Sequence, residues 1–167
     1  TLGPDHPDTL GCQLSLASAL RRQGEYSKAE PIFVDNLQRR RRVLGAEHPD
    51  SLLTTLELAF VRVEAGRLDE AEPMLRELIA SYRRTIGSDH RSAMAAINAL
   101  GYLYKLQGNL EEAAVLTQEG LERMTRVLGK DHTNALHARN NLAEIRSEQG
   151  GTEEARELLL ETLDSRY

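Results

Sequence analysis

Tryptophan is absent from this 167-residue chain, phenylalanine occurs twice and cysteine once. The single cysteine, Cys12, cannot close an internal disulfide, so the fold must rest on packing, and a reducing, cytoplasmic setting is expected. Few aromatics on a chain of net charge −5 leave no basic stripe set with stacking rings, so nucleic acid is not an expected partner. No run of eighteen apolar residues exists, so no insertion into a membrane is expected. Neither a His-Glu-x-x-His pair, a phosphate-cradling glycine loop nor a cysteine pair at metal spacing occurs. The chain therefore reads as a non-enzyme with neither metal nor cofactor. Period-two alternation of apolar residues is missing too, and strands with it.

What the chain has is a repeat. Leu2-Gly3-Pro4-Asp5-His6-Pro7-Asp8 returns as Leu44-Gly45-Ala46-Glu47-His48-Pro49-Asp50, then as Ile86-Gly87-Ser88-Asp89-His90 and Leu128-Gly129-Lys130-Asp131-His132, a period of 42 without slippage. A fixed period of this size marks a solenoid, whose units bury their apolar faces only by stacking on neighbours. Gly24, Gly66, Gly108 and Gly150 keep the same period and fall where a helix C-cap needs glycine. Each unit is thus helix, glycine turn, helix, linker, and the expected fold class is all-α, one array with repeats at about 1–43, 44–86, 87–127 and 128–167. Pro7 and Pro49 suit the first helical turn, with Asp8 and Asp50 facing the positive helix end. The chain opens on Thr1, inside a linker that would follow an earlier repeat, and so reads as a piece of a longer protein.

Aligned units predict the core. First helices carry Leu10, Leu52, Met94 and Leu136, then Leu16, Leu58, Leu100 and Leu142, each of the latter followed by a small residue (Ala17, Ala59, Gly101, Ala143) that lets a partner helix approach. Second helices carry Ala29, Ala71, Ala113 and Ala155, then Ile32, Met74, Leu116 and Leu158, then Leu37, Ile79, Leu121 and Leu163, one buried stripe. Cys12 shares a row with Thr54, Ala96 and Ala138 and is expected to pack inside. Thr117 and Gly120 replace larger residues, so the second helix of the third unit is expected to pack less tightly.

Charge is uneven. Residues 1–43 hold seven basic and five acidic groups (+2), whereas residues 128–167 hold five and eight (−3). The run Arg39-Arg40-Arg41-Arg42 reads as a solvated face complementing the helix dipole. His6, His48, His90 and His132 cannot share an ion, because zinc ligands lie about 2 Å from the metal and successive repeats are separated by about 10 Å. They read as stabilisers of the helix start.

Leu100-Gly101-x2-Tyr104 and Ala29-x3-Phe33 match elements of the tetratricopeptide (TPR) pattern. Together with the 42-residue period, the His-Pro linker and Glu70-Ala71-Glu72-Pro73, the chain resembles the TPRs of kinesin light chains and of related arrays in nephrocystin-like and bacterial signalling proteins. The resemblance implies a right-handed α-solenoid whose concave groove is lined by the first helices. Stepping about 100° per residue, the non-core arc of those helices holds Leu53, Leu56, Phe60 and Glu64 in the second unit, Asn98, Tyr102 and Leu106 in the third, and His137, Asn140, Asn141 and Glu144 in the fourth. Asparagine offers a donor and an acceptor, so a ladder of them can hold the main chain of an extended peptide. Asn140-Asn141-Leu142-Ala143 reproduces a run seen in kinesin light chains. The expected partner is therefore a protein or peptide. Two alternatives stand beside it: self-association through uncapped repeat ends, where Leu158, Leu159, Leu160 and Leu163 cluster, and a sensor segment of a multidomain signalling protein.

Overall fold

A computed structural model describes residues 3–164. Among these residues there are eight α-helices and no strand: α1 (Pro7–Arg22), α2 (Tyr26–Leu44), α3 (Pro49–Glu64), α4 (Leu68–Thr85), α5 (Arg91–Leu106), α6 (Leu110–Leu128), α7 (Thr133–Glu148) and α8 (Thr152–Asp164). Every first helix of a pair has 16 residues, whereas α2, α4 and α6 run to 18 or 19. The long period is thus spent on the second helix and the linker.

Each first helix starts on its linker histidine. The N–H of Asp8 donates to His6 Nδ1 at 3.2 Å, and the N–H groups of Asp50, Ser92 and Asn134 donate likewise to His48, His90 and His132. The four imidazoles thus satisfy amide groups that a helix start leaves open. Each first helix also ends alike. At the end of α3 the chain passes through Gly66 at φ +75°, where the N–H of Gly66 donates to Val63 and that of Arg67 to Arg62. This two-bond reversal needs a left-handed residue, and it recurs at Gly24, Gly108 and Gly150.

The helices form two compact units, Thr1–Ser81 and Tyr82–Tyr167. In the first, α3 packs on both α1 and α2 around Ala17, Ala29, Phe33, Leu37, Leu58 and Val61. Asn36 is fully buried there. Its Nδ2 donates to the Leu10 carbonyl at 2.8 Å and to Gln13 Oε1 at 3.3 Å, while its Oδ1 accepts from Thr54 Oγ1 at 3.4 Å. One amide thereby ties α1, α2 and α3 together. Its equivalents one and two periods on are Leu78 and Gly120, so the repeat alignment gives no sign of it. In the second unit α7 packs on α5 and α6, and α8 on α7, over Met94, Ile97, Leu103, Met124, Leu142 and Ile145.

Several expectations are corrected. Leu16 is 55% exposed although Leu58, Leu100 and Leu142 in its row are buried, because no helix precedes α1 among the described residues. Leu163 is 53% exposed while Leu37, Ile79 and Leu121 are buried. Cys12 is exposed where Thr54, Ala96 and Ala138 are not. The arginine run is not wholly solvated, since Arg40 is buried and donates to the Asp50 carbonyl at 2.9 Å. Nor is α6 loosely packed. A Cβ on Gly120 would stand 3.6 Å from Ile97 Cγ2, so the small residues let α5 and α6 close up.

Candidate protein-recognition faces

The predicted recognition residues separate by burial. In the first unit Leu56 is only 4% exposed, which removes it from any binding surface. The arc assignment supposed burial on one side only, whereas α3 is apolar nearly all round, and such a helix is enclosed. Its row-mates Asn98 and Asn140 are half-buried. Leu53 remains exposed and Phe60 half-exposed. The Arg21 guanidinium lies 5.3 Å from the Phe60 ring centroid, within cation–π range. Arg21 Nη1 also reaches Glu64 Oε1 at 2.5 Å, and its Nε lies 3.5 Å from Glu57. Burial, with repulsion from Glu57, holds the Glu64 carboxyl above the usual carboxylate range against the pull of Arg21. On the other side of α3, Glu30 of α2 accepts from Arg62 Nε at 3.2 Å and from Arg67. Burial alone would raise Glu30, but the two arginines outweigh it and its pKa falls below the ordinary value.

In the second unit Asn98, Tyr102 and Leu106 follow one another at four-residue steps along α5, one helical face. Tyr102 is 36% exposed, Leu106 more so, and Asn98 half-buried. The Asn98 Oδ1 is shielded and accepts no hydrogen bond among the described residues. Across from them α7 presents exposed His137 and Glu144 and half-exposed Asn140 and Asn141. Lys105 joins the two helices. Its Nζ pairs with Glu144, lies 3.4 Å from Glu148 and stands 6.0 Å from the Tyr102 ring centroid. Burial would lower Lys105, but the hydrogen bond it donates to Glu144 and the charges of both glutamates hold it above the usual lysine value. Sequence periodicity misses Lys105, because its role depends on acids 39 and 43 residues away in the chain.

Beside this face, Asn140, Ala143 and Glu144 of α7 and Ala155, Leu159 and Leu163 of α8 line an open cleft of about 700 Å³. Among the described residues no three His, Cys, Asp or Glu side chains converge to hold a metal, and no helix is long and apolar enough to cross a membrane.

These features define a helical repeat protein. A tetratricopeptide repeat profile matches residues 8–84, 50–124 and 92–167, and the chain belongs to that family, whose members generally mediate protein–protein interactions. Two solved structures it resembles are described as kinesin-light-chain TPR-like repeats. A Podosopora anserina protein described as a kinesin light chain, with nearly identical TPR-like repeats, is 28% identical, with a TM-score of 0.74 over 99% of this chain and 79% of that one. BtubC (BKLC) from P. vanneervenii is 19% identical, with a TM-score of 0.81 over 96% of this chain and 65% of that one. MamA 41-end from Desulfovibrio magneticus RS-1 is 16% identical, with a TM-score of 0.67 over 97% of this chain and 76% of that one. The last two share the fold. Comparison with curated protein sequences gives no match.

Proposed function

We propose that the chain is a non-catalytic cytoplasmic recognition module that holds a peptide segment of a partner protein against the exposed faces of its first helices. The observation that carries the reading is the α5 face, where Tyr102 stands out of the core between half-buried Asn98 and exposed Leu106. A partly exposed tyrosine offers a rigid apolar body with a polar tip, the side-chain type enriched where proteins bind one another. In this reading Asn98, Asn140 and Asn141 hold main-chain amides, Tyr102 grips an apolar side chain, His137 offers a hydrogen-bonding imidazole, and Glu144 favours a basic group on the peptide. Leu53 and Phe60 provide the equivalent apolar grip on α3.

The test is selection of peptides from a random display library on the immobilised chain, followed by fluorescence anisotropy on the selected sequences. Tyr102→Ala and Asn140→Ala should each weaken binding about tenfold or more, as expected for a central contact worth about 1.4 kcal/mol or above, with unchanged circular dichroism. Affinity unchanged in both variants would refute the reading.

A further inference from the structure

The recognition face of the second unit holds a cation of its own. Lys105 of α5 reaches across to α7, where its Nζ pairs with Glu144 and lies 3.4 Å from Glu148, with the Tyr102 ring centroid 6.0 Å away. Carboxylates and a ring around one ammonium are the side chains that recognise a lysine or an arginine. The Lys105 side chain is only 13% exposed, whereas those of Glu144 and Glu148 are 59% and 49% exposed. The cation is enclosed, and its carboxylates are within reach of a second chain. Their outward aspect belongs to these positions in the array, because on α5, with α7 packed beside it, the same positions are Tyr102 and Leu106, which are exposed too.

The charges do not cancel. One ammonium against two carboxylates leaves a negative charge over, and Arg156 of α8, which lines the neighbouring cleft, is engaged with Glu153 at 3.4 Å. Nor does the repeat require a cation here. The counterparts of Lys105 are Arg21, Val63 and Ser147, so the position accepts an apolar or a neutral side chain, and Val63 is buried there. The ammonium is therefore a property of the α5–α7 face and not of the stacking.

We infer that Lys105 is a resident competitor: its ammonium fills the subsite of the α5–α7 face that takes a lysine or arginine side chain of the partner peptide, and that side chain binds by displacing it. The inference rests on the peptide reading and adds to it the chemistry of the ligand and an autoinhibitory contact. The flexible four-carbon stem of Lys105 lets its ammonium swing into water with the charge intact, so the exchange strands no buried charge.

Library selection and anisotropy on the 167-residue chain test it, with Lys105→Met and Lys105→Arg as added variants. Peptides selected on the wild-type chain should carry a lysine or an arginine, and each is synthesised beside a copy with norleucine in its place. Lys105→Met keeps the apolar stem and empties the subsite. It should bind the basic peptides about tenfold more tightly than wild type, as for a subsite open about a tenth of the time, and the norleucine copies with unchanged affinity. Lys105→Arg keeps a resident cation and should stay near wild type with both. Should Lys105→Met lose helicity, Glu148→Gln at its exposed position decides: it should reduce the preference for a basic peptide over its norleucine copy about threefold, as for an exposed ion pair. Selected peptides without a basic residue, basic peptides bound no more tightly by folded Lys105→Met, a gain shared by the norleucine copies, or an unchanged preference in Glu148→Gln would each overturn the inference. Tyr102→Ala and Asn140→Ala both without effect on any peptide would overturn the peptide reading instead.

Discussion

The hydroxyl oxygen of Thr117 on α6 lies 2.5 Å from where a Cβ would stand on Gly101 of α5. The first, second and fourth units carry alanine at that place (Ala17, Ala59, Ala143), so the third repeat accommodates threonine on one helix by dropping a methyl from the other. Gly101→Ala should therefore cost about 1 kcal/mol, the overpacking penalty of about 1–3 kcal/mol outweighing the better helix propensity of alanine. The Thr117 hydroxyl has no hydrogen-bond partner among the described residues. Adding Thr117→Ala to the Gly101→Ala variant should accordingly recover stability, as measured by urea denaturation.

Two glutamates on the helices of the first unit should respond to pH with opposite sign. Glu30 is held below its ordinary pKa of 4.5 by Arg62 and Arg67, so its stabilisation is present above that value and is lost as pH falls through the folded pKa. Glu30→Gln should lower stability by about 1–2 kcal/mol at pH 7, a charge-assisted pair discounted for partial exposure, and the loss should disappear in acid. Glu64 is held above 4.5 chiefly by burial. Its ionised form costs the folded state at neutral pH, and the cost is relieved as pH falls through its raised value. Glu64→Gln should leave stability unchanged or higher at pH 7. Paired thermal melts between pH 3.5 and 7 check both signs.

The histidine caps define a third measurement. His48 Nδ1 accepts the N–H of Asp50 at 3.2 Å, and only an unprotonated Nδ1 can do so. His48→Ala should cost about 1 kcal/mol and His48→Asn should restore most of it, since asparagine is a strong N-cap. Equal loss in both variants would show that the imidazole acts through packing.

The period, the helix pairs, the glycine turns and the histidine starts were legible in the sequence because each is set within a few residues of chain. The small rows Ala17, Ala59 and Ala143, and Ala29, Ala71, Ala113 and Ala155, are buried as the alignment predicts. What failed was whatever depends on neighbours outside the unit. Leu16 and Leu163 obey the repeat pattern but have no covering helix among the described residues, and Cys12 stands out of the core for the same reason. Leu56 failed in the other direction, because an arc argument supposes one buried side and α3 has several. Asn36 and Lys105 carried no periodic signal, since each acts through partners far along the chain.

The central claim is that recognition lies on the exposed faces of the first helices. Amide chemical-shift mapping on the labelled chain, with a display-selected peptide titrated in, tests it most directly. Shifts should concentrate at Asn98, Tyr102, Asn140 and Glu144 on α5 and α7. Shifts confined to the outer residues of α6, such as Val115 and Glu122, with Tyr102 and Asn140 unmoved, would contradict it.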